Sequence, residues 1–304
     1  MSQKQTILIT GATSGIGRHA ALHLAQKGHR VFATGRNRSA LDELTREAHG
    51  LPLEALRLDV TDPSSIEAVR LEIDRRTAGR GVDVLVNNAG YGHLGPVDLV
   101  SDADMRAQYE TNVFGLMNVT RSFLPAMRER GAGRIVNVSS IGGRVTLPLF
   151  GVYNSTKYAL ESLSDAMRIE LAPFGIHVSL VEPGVINTGF GERSMGLVSQ
   201  YKGTQSPYDA ILAKADELQV KTESFGVSPK STSRAIERAA TSRWPRARYV
   251  APFFYNFMLA AMPFIPTRLV DWAMRRSVGL TRKNLGSAPR KSAPIPAEPQ
   301  RAAA

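Results

Sequence analysis

The sequence predicts an α/β fold in which one doubly wound parallel sheet is covered by helices on both sides. Short β-branched runs alternate with longer segments of helical periodicity, an order typical of crossover connections between parallel strands. These runs are almost entirely apolar, as expected for strands that are covered on both faces. The predicted strands are residues 6–10, 30–34, 55–58, 82–87, 134–139 and 177–182, with a further short strand at 248–250.

The length of 304 residues is consistent with one α/β domain and an extension. We expect the domain to span residues 1–250. Within it, residues 184–227 are rich in Gly, Ser and Thr and predict a loop that covers the substrate. Residues 251–286 predict an apolar and amphipathic helical extension, and residues 287–304, rich in Pro, Ala and Ser, predict a disordered tail.

Composition excludes several kinds of site. The chain has no cysteine, which excludes disulfides, thiolate nucleophiles and cysteine zinc sites, and we expect no metal. The N-terminus enters a strand almost at once, so we expect a cytoplasmic protein. From Arg268 onward, eight basic residues stand against two acidic ones, so this segment supplies +6 of the net charge of +11. The domain itself is only mildly basic, and we expect no nucleic-acid partner.

A glycine-rich turn follows the first predicted strand, in the sequence TGATSGIG at residues 10–17. Glycines at these spacings let the chain turn tightly and bring backbone N–H groups up to a pyrophosphate at a helix N-terminus. The second strand ends in Gly35 and Arg36, and no acidic residue follows before Asp42. Because an arginine here accommodates the extra phosphate of NADP, NADP(H) is favoured over NAD(H). A solvated turn is the alternative interpretation of Arg36.

A tyrosine and a lysine, Tyr153 and Lys157, lie four residues apart on one face of the predicted helix 152–171. An ammonium group beside a tyrosine favours the phenolate, so the pair predicts a tyrosine that exchanges a proton with a substrate oxygen. Ser140 follows the fifth strand, and open α/β sheets bind their ligands at strand carboxyl ends. We therefore expect Ser140 to hold the substrate oxygen beside Tyr153.

Taken in order, these motifs resemble the short-chain dehydrogenase/reductase family, in its compact single-domain branch, over about residues 5–250. LDV at 58–60, NNAG at 87–90, YETNV at 109–113 and PGVINT at 183–188 extend the match. The resemblance implies a Rossmann fold and an NADP(H)-dependent enzyme that interconverts an alcohol and a carbonyl. The catalytic residues that it implies are Asn112, Ser140, Tyr153 and Lys157. The cofactor-binding residues that it implies are Gly11, Thr13, Ser14, Gly15, Ile16, Gly17, Arg36, Asp59, Val60, Asn88, Ala89, Gly90, Tyr153, Lys157, Pro183, Gly184, Ile186 and Thr188.

The resemblance also implies roles for these residues. Asn112 would support a water-linked proton relay to Lys157, which would bind the nicotinamide ribose and lower the tyrosine pKa. Ile186 and Thr188 would hold the nicotinamide amide. The chain departs from many NADP-preferring relatives at Ser14, where they carry a basic residue, so the prediction of NADP(H) depends chiefly on Arg36.

The extension after the last strand bears on the substrate. Residues 249–266 contain no charged residue and several aromatic ones, but prolines divide them and they are too short to span a bilayer. Two interpretations stay open: a lid or subunit contact in a homo-oligomer, and a peripheral membrane contact through residues 249–280. We expect a lipophilic substrate of the steroid, retinoid or fatty-aldehyde type. The alternatives are a reductase of small polar or sugar-like ketones and a non-catalytic NADP sensor or scaffold.

Overall fold

A computed structural model describes residues 4–203, 206–214, 217, 220 and 224–285 of the chain. Within these residues, one parallel sheet has seven strands in the order β3-β2-β1-β4-β5-β6-β7. The strands are β1 (Thr6–Ile9), β2 (Arg30–Gly35), β3 (Leu53–Arg57), β4 (Val84–Asn87), β5 (Gly133–Val138), β6 (Ile176–Pro183) and β7 (Arg248–Ala251). The predicted doubly wound parallel sheet is confirmed, whereas the predicted tail at 287–304 lies outside the described residues.

Helices connect the strands and cover both faces of the sheet. In chain order they are α1 (Gly15–Gln26), α2 (Arg38–Glu47), α3 (Pro63–Arg76), α4 (Asp102–Tyr109), α5 (Leu116–Arg130), α6 (Gly151–Leu171), α7 (Phe190–Val198), α8 (Asp209–Leu212), α9 (Lys230–Thr241), α10 (Tyr255–Ala261), α11 (Thr267–Ser277) and α12 (Arg282–Leu285). A π-helical turn, Glu110–Gly115, joins α4 to α5. The helix α1 begins three residues before the predicted start at Arg18, because the glycines of the turn form its first helical residues.

Side chains along each strand alternate between two cores, as a period of two residues requires. Ile7 and Ile9 join the core beneath α1 and α9, whereas Leu8 between them joins the core beneath α3, α5 and α6. Phe32, also fully buried, lies in the second core while its neighbours Val31 and Ala33 lie in the first. Burial on both faces explains why the strands are almost uniformly apolar in sequence.

The order of the strands determines where ligands can bind. The chain leaves β1 toward β2 on one side, and β4 lies on the other side of β1, so the crossovers diverge between β1 and β4. Such a divergence opens a crevice at the carboxyl ends of the strands. The glycine-rich turn follows β1 here, and the NNAG segment follows β4.

The extension after β7 consists of α10, α11 and α12. Helix α11 has no buried residue, and much of the apolar surface on α10 is exposed. In the part of the chain that the structure describes, no helix is both long enough and apolar enough to cross a bilayer.

Candidate active site

The glycine-rich turn lies in close contact with its surroundings. Gly11 and Gly15 have positive φ values of 67° and 56°, which glycine adopts without steric cost. A Cβ atom on Gly11 would lie 2.7 Å from Cα of Ala89, and one on Gly15 would lie 3.2 Å from Cβ of Thr188. A Cβ on Gly17 would collide with the Asn88 amide. The turn therefore has no room for larger residues, and its backbone forms the floor of the crevice.

Hydrogen bonds from β4 hold this turn in place. The Asn88 side chain donates from Nδ2 to the carbonyl oxygens of Thr10 and Gly11, both at 3.0 Å. The backbone N–H groups of Asn88 and Ala89 donate to Oγ1 of Thr10, again at 3.0 Å. On the other side, the Thr13 side chain packs against Gly35 at the end of β2. The turn, β2 and β4 thus form one rigid unit at the switch point.

The rim beyond β2 carries the arginine that the sequence singles out. Arg36 is 72% exposed, and its Nη1 atom lies 3.9 Å from Oδ2 of Asp59. Asp59 is held in turn by Thr61, whose backbone N and hydroxyl donate to Oδ1 at 3.0 and 2.8 Å. Val60 touches the π-helical turn, since a Cβ on Gly115 would lie 2.7 Å from the Val60 carbonyl oxygen. An exposed guanidinium beside the crevice can meet an anionic group of a ligand.

The structure brings Ser140, Tyr153 and Lys157 together at the carboxyl end of β5. Tyr153 and Lys157 are both buried. The Lys157 Nζ atom donates to the carbonyl oxygen of Val138 at 2.9 Å and lies 5.8 Å from the centroid of the Tyr153 ring. The Ser140 hydroxyl lies near enough to the Tyr153 phenol to act on its pKa as a hydrogen-bonding group, and its Oγ accepts from the backbone N of Gly142 at 2.9 Å. Two hydroxyl groups and an ammonium group therefore converge at this strand end.

Burial governs the protonation of this pair. It raises the pKa of Tyr153 to about 12, with the Ser140 hydrogen bond opposing it, and it lowers the pKa of Lys157 to about 8, with Glu161 opposing it. The sequence led us to expect a lowered pKa for Tyr153. The structure shows the opposite direction because loss of solvation outweighs the other interactions of the phenol. At neutral pH, Tyr153 is thus a protonated phenol and a potential proton donor.

Asn112 lies in the π-helical turn, buried beside the same cluster. Its Oδ1 accepts from the backbone N of Tyr91 at 3.1 Å, and its Nδ2 donates to the Tyr91 carbonyl at 2.9 Å and to Oγ1 of Thr156 at 3.1 Å. A Cβ on Gly90 would lie 3.1 Å from Asn112 Oδ1 and 4.0 Å from Lys157 Nζ. Asn112 Oδ1 and Lys157 Nζ therefore both lie close to Gly90. The water-linked relay between Asn112 and Lys157 stays a prediction.

The PGVINT segment follows β6 and faces the glycine-rich turn. Pro183 pairs with Ala251 of β7, and the backbone N of Gly184 donates to the Ala251 carbonyl at 2.8 Å. Ile186 forms a parallel bridge with Val227. Thr188 lies against Gly15, so this segment contacts the glycine-rich turn.

An apolar cluster packs with the Tyr153 ring. The Phe190 ring on α7 lies 5.5 Å from the Tyr153 ring, centroid to centroid. The other buried members of the cluster are Leu94, Val100, Val152, Val198, Tyr201 and Leu212. Val152 lies on α6 beside Tyr153, and the others come from the loop after β4 and from the segment between β6 and α9, so the predicted substrate loop contributes part of the apolar surroundings.

Sequence reasoning missed a buried charged network behind Lys157. Arg248 on β7 donates from Nε to Glu161 at 3.1 Å and lies 3.1 Å from Glu182 and 2.6 Å from Asp165. Glu182 is fully buried. Glu161 follows Lys157 by one helical turn, and a carboxylate on that apolar helix face is the only sequence signal of the network. Burial raises the pKa of Glu161 to about 7, and the neighbouring Glu182 carboxylate adds to the rise.

Comparison with known proteins agrees with this geometry. The family model described as short chain dehydrogenase matches residues 5–195. A 3-ketodihydrosphingosine reductase of Bacteroides thetaiotaomicron is 33% identical over 275 residues, which cover 90% of this chain and 97% of that protein. The 17-beta-hydroxysteroid dehydrogenase type 1 of Homo sapiens is 40% identical over 201 residues, 64% of this chain and 60% of that protein.

A solved structure, the closed form of a serine dehydrogenase complexed with NADP+, superposes with a TM-score of 0.70 and 29% identity. The superposition covers 81% of this chain and 93% of the serine dehydrogenase chain. The chain therefore belongs to the short-chain dehydrogenase family, and it is an oxidoreductase of alcohol and carbonyl groups.

The raised pKa of Glu161 predicts a pH dependence of stability. A carboxyl whose pKa is about 7 in the folded state and 4.5 in the reference state contributes stability below pH 4.5, and this contribution is lost as the pH rises through 7. Between pH 5 and 7 the unfolding free energy should fall by up to about 1.4 kcal/mol per pH unit from this group. Urea denaturation of the wild type and of Glu161→Gln at several pH values measures the difference.

The matched control is Glu72→Gln, because the Arg75 hydrogen bond holds the pKa of Glu72 at about 2 and it stays ionised throughout this range. That variant should keep the pH slope of the wild type. If Glu161→Gln also keeps the wild-type pH slope, the charged network does not hold a proton on the Glu161 carboxyl.

Proposed function

We propose that the protein is an NADP(H)-dependent oxidoreductase that interconverts an alcohol and a carbonyl on a lipophilic substrate. The convergence of Ser140, Tyr153 and Lys157 at the end of β5, beside the glycine-rich crevice, is the observation that carries the proposal. A non-catalytic sensor on the same fold would have no need of a buried proton donor beside a buried amine.

The residues at the switch point fit a dinucleotide. Gly11 and Gly15 supply the positive φ values of the tight turn at the start of α1, where a pyrophosphate gains from the helix N-terminus. Arg36 is exposed at the rim, where a 2′-phosphate would need a cation. The solved relative complexed with NADP+ supports this choice. Asn88, Ala89, Gly90, Ile186 and Thr188 would complete the nucleotide and nicotinamide sites.

The mechanism follows from the positions of the side chains. The hydroxyls of Ser140 and Tyr153 would both hydrogen-bond the substrate oxygen. When bound, the nicotinamide exchanges a hydride with the substrate carbon. In reduction, Tyr153 donates its phenolic proton to the oxygen, and in oxidation it accepts that proton. Lys157 stabilises the phenolate form and would hold the ribose, and Asn112 supports return of the proton through water.

A lipophilic substrate agrees with the apolar cluster around Tyr153 and Phe190. Apolar walls gain affinity from each methylene that they bury. The relatives named for a ketodihydrosphingosine and for a hydroxysteroid support the same class. The relative named for serine favours the alternative, a small polar substrate.

The setting of the enzyme is also part of the proposal. Exposed apolar side chains such as Phe114 and Ile169 support a homo-oligomer. The composition without cysteine supports a cytoplasmic location.

Tyr153→Phe should reduce kcat by at least about 100-fold, because it removes the acid/base hydroxyl and keeps the ring. NADPH affinity should change little, since the packing of the ring remains. Tyr158→Phe on the same helix is the matched control, because Tyr158 is exposed and lies outside the site. Steady-state kinetics that show near wild-type turnover in Tyr153→Phe would refute the mechanism.

The wild type should bind NADPH more tightly than NADH. In Arg36→Asp the order should reverse, so that NADH binds at least about tenfold more tightly than NADPH. The change removes a charge-assisted hydrogen bond to the phosphate and offers a carboxylate to the ribose. Fluorescence titration of both cofactors measures the four affinities. Arg38→Asp makes the same charge change two residues away and should keep the preference. Equal affinities in the wild type contradict the assignment.

KM should fall as an aldehyde or methyl-ketone series lengthens, by up to about fourfold per methylene that becomes buried. The reason is the apolar lining around Tyr153. The control is a hydroxy-ketone matched in size to one member of the series. A KM that is flat or rises with chain length, with better turnover of the hydroxy-ketone, would support the polar-substrate alternative.

A further inference from the structure

The extension after β7 exposes a concentration of large apolar side chains. Of the 18 large apolar residues that are exposed in the described part of the chain, eight fall within residues 253–272. We call six of them the aromatic surface: Phe253, Phe254, Phe257, Phe264, Leu269 and Trp272. Phe264 is 87% exposed and Phe257 is 71% exposed. A soluble monomer rarely leaves such a stretch in water, so the surface needs an occupant.

The geometry points to an occupant: we propose that the aromatic surface docks the protein onto an anionic lipid bilayer. The inference goes beyond the proposed chemistry, because binding to lipid requires neither cofactor nor substrate. Only its consequence, delivery of substrate from the bilayer, rests on the proposed function.

Helix α11 has the pattern of an interfacial helix. Leu269, Trp272 and Arg276 follow one another at spacings of three and four residues, so they share one face. The Arg276 guanidinium lies 5.2 Å from the centroid of the Trp272 ring. Val270 and Met274 are half-buried on another face. The helix therefore keeps one apolar stripe toward the protein and presents a second stripe, mixed with cations, to the exterior.

Charge identifies the partner. Helix α11 carries Arg268, Arg275 and Arg276 against one acid, Asp271. Each arginine near an anionic membrane surface adds to the attraction. Two copies of the chain meeting through this surface would instead bring like charges together, which disfavours self-association. Apolar rings flanked by arginines complement acyl chains beneath anionic headgroups.

The lengths of the helices are suited to lying in the interface. Helix α10 has 7 residues and α11 has 11, so they extend about 10 and 16 Å at 1.5 Å per residue. Neither length approaches the roughly 30 Å of a hydrocarbon core. The docking is therefore peripheral.

Helix α10, which carries Phe257 of the aromatic surface, borders the loop that follows β6. The Tyr255 ring packs on Gly184, and its hydroxyl accepts from the backbone N of Val185 at 3.4 Å. Leu259 on the same helix is buried. These contacts anchor α10 to the segment that continues to Thr188 beside the glycine-rich turn. A lipophilic substrate leaving the bilayer would thus arrive at the carboxyl edge of the sheet.

The two tryptophans of the chain provide an internal comparison. Trp272 lies in the aromatic surface, whereas Trp244 is exposed before the amino end of β7, at the opposite edge of the sheet. Trp244→Phe leaves Trp272 as the reporter, and Trp272→Phe leaves Trp244. Each full-length protein is titrated with phosphatidylcholine vesicles, with and without about one-third phosphatidylserine. Emission of Trp272 should shift to the blue on the anionic vesicles only, and emission of Trp244 should not shift.

Charge reversal tests the surface independently. Arg275→Glu with Arg276→Glu should weaken vesicle binding at least about tenfold, as should about 1 M salt, where the Debye length is about 3 Å. Arg121→Glu with Arg128→Glu on α5 makes the same net change at exposed positions elsewhere and should retain most of the binding. Circular dichroism verifies that each variant is folded.

Three outcomes would overturn the proposal. The first is that Trp272 emission does not shift to the blue on anionic vesicles, and the second is that both double variants lose binding equally. The third is that Trp272 emission shifts with protein concentration in the absence of vesicles, which would assign the surface to a second copy. Binding without turnover on any carbonyl would instead overturn the proposed chemistry and leave the docking surface intact.

Discussion

A buried ammonium group is the constraint on which the rest of the site depends. Lys157 donates to the Val138 carbonyl at the end of β5, at 2.9 Å, and so fixes α6 against the sheet. Tyr153 lies one helical turn before it and Glu161 one turn after it, so a single helix face carries the proton donor, the cation and a carboxylate. Removing such a charge from water costs several kcal/mol unless charged or polar partners surround it. Glu161, which Arg248 links to Glu182, favours the ammonium form when its carboxyl is ionised.

The parallel sheet makes this arrangement compatible with ligand binding, because every loop of the site leaves a strand at the same edge. The Asn88 amide holds the glycine-rich turn against β4, and Thr188 approaches that turn from the loop after β6. The segment that follows Thr188 adds apolar side chains around Tyr153, and α10 packs on Gly184 of the same loop. The loop after β6 therefore connects the reacting side chains, their apolar surroundings and the helix that begins the aromatic surface.

Much of this could be predicted from sequence where the cause is local. The seven strands follow from short apolar runs, and Ser140, Tyr153 and Lys157 follow from motif spacing at a strand end. What could not be predicted depends on distant segments. Arg248 reaches Glu161 only because β7 pairs with β6, and the partners of Asn112 depend on the π-helical turn. The raised pKa of Tyr153 depends on burial that spacing does not report, and composition did not show that the aromatic rings of residues 253–264 are mostly exposed.

Isotope labelling distinguishes the hydride that Tyr153 cannot supply from the proton that it can. NADPH that carries deuterium at the transferable position of C4 is supplied with a long-chain ketone in ordinary water, and the alcohol is analysed by mass spectrometry and NMR. We expect one deuterium on the carbinol carbon and a solvent-derived proton on the oxygen, because the two are delivered separately. An alcohol without deuterium at that carbon, or oxidation of NADPH without any alcohol, would contradict it.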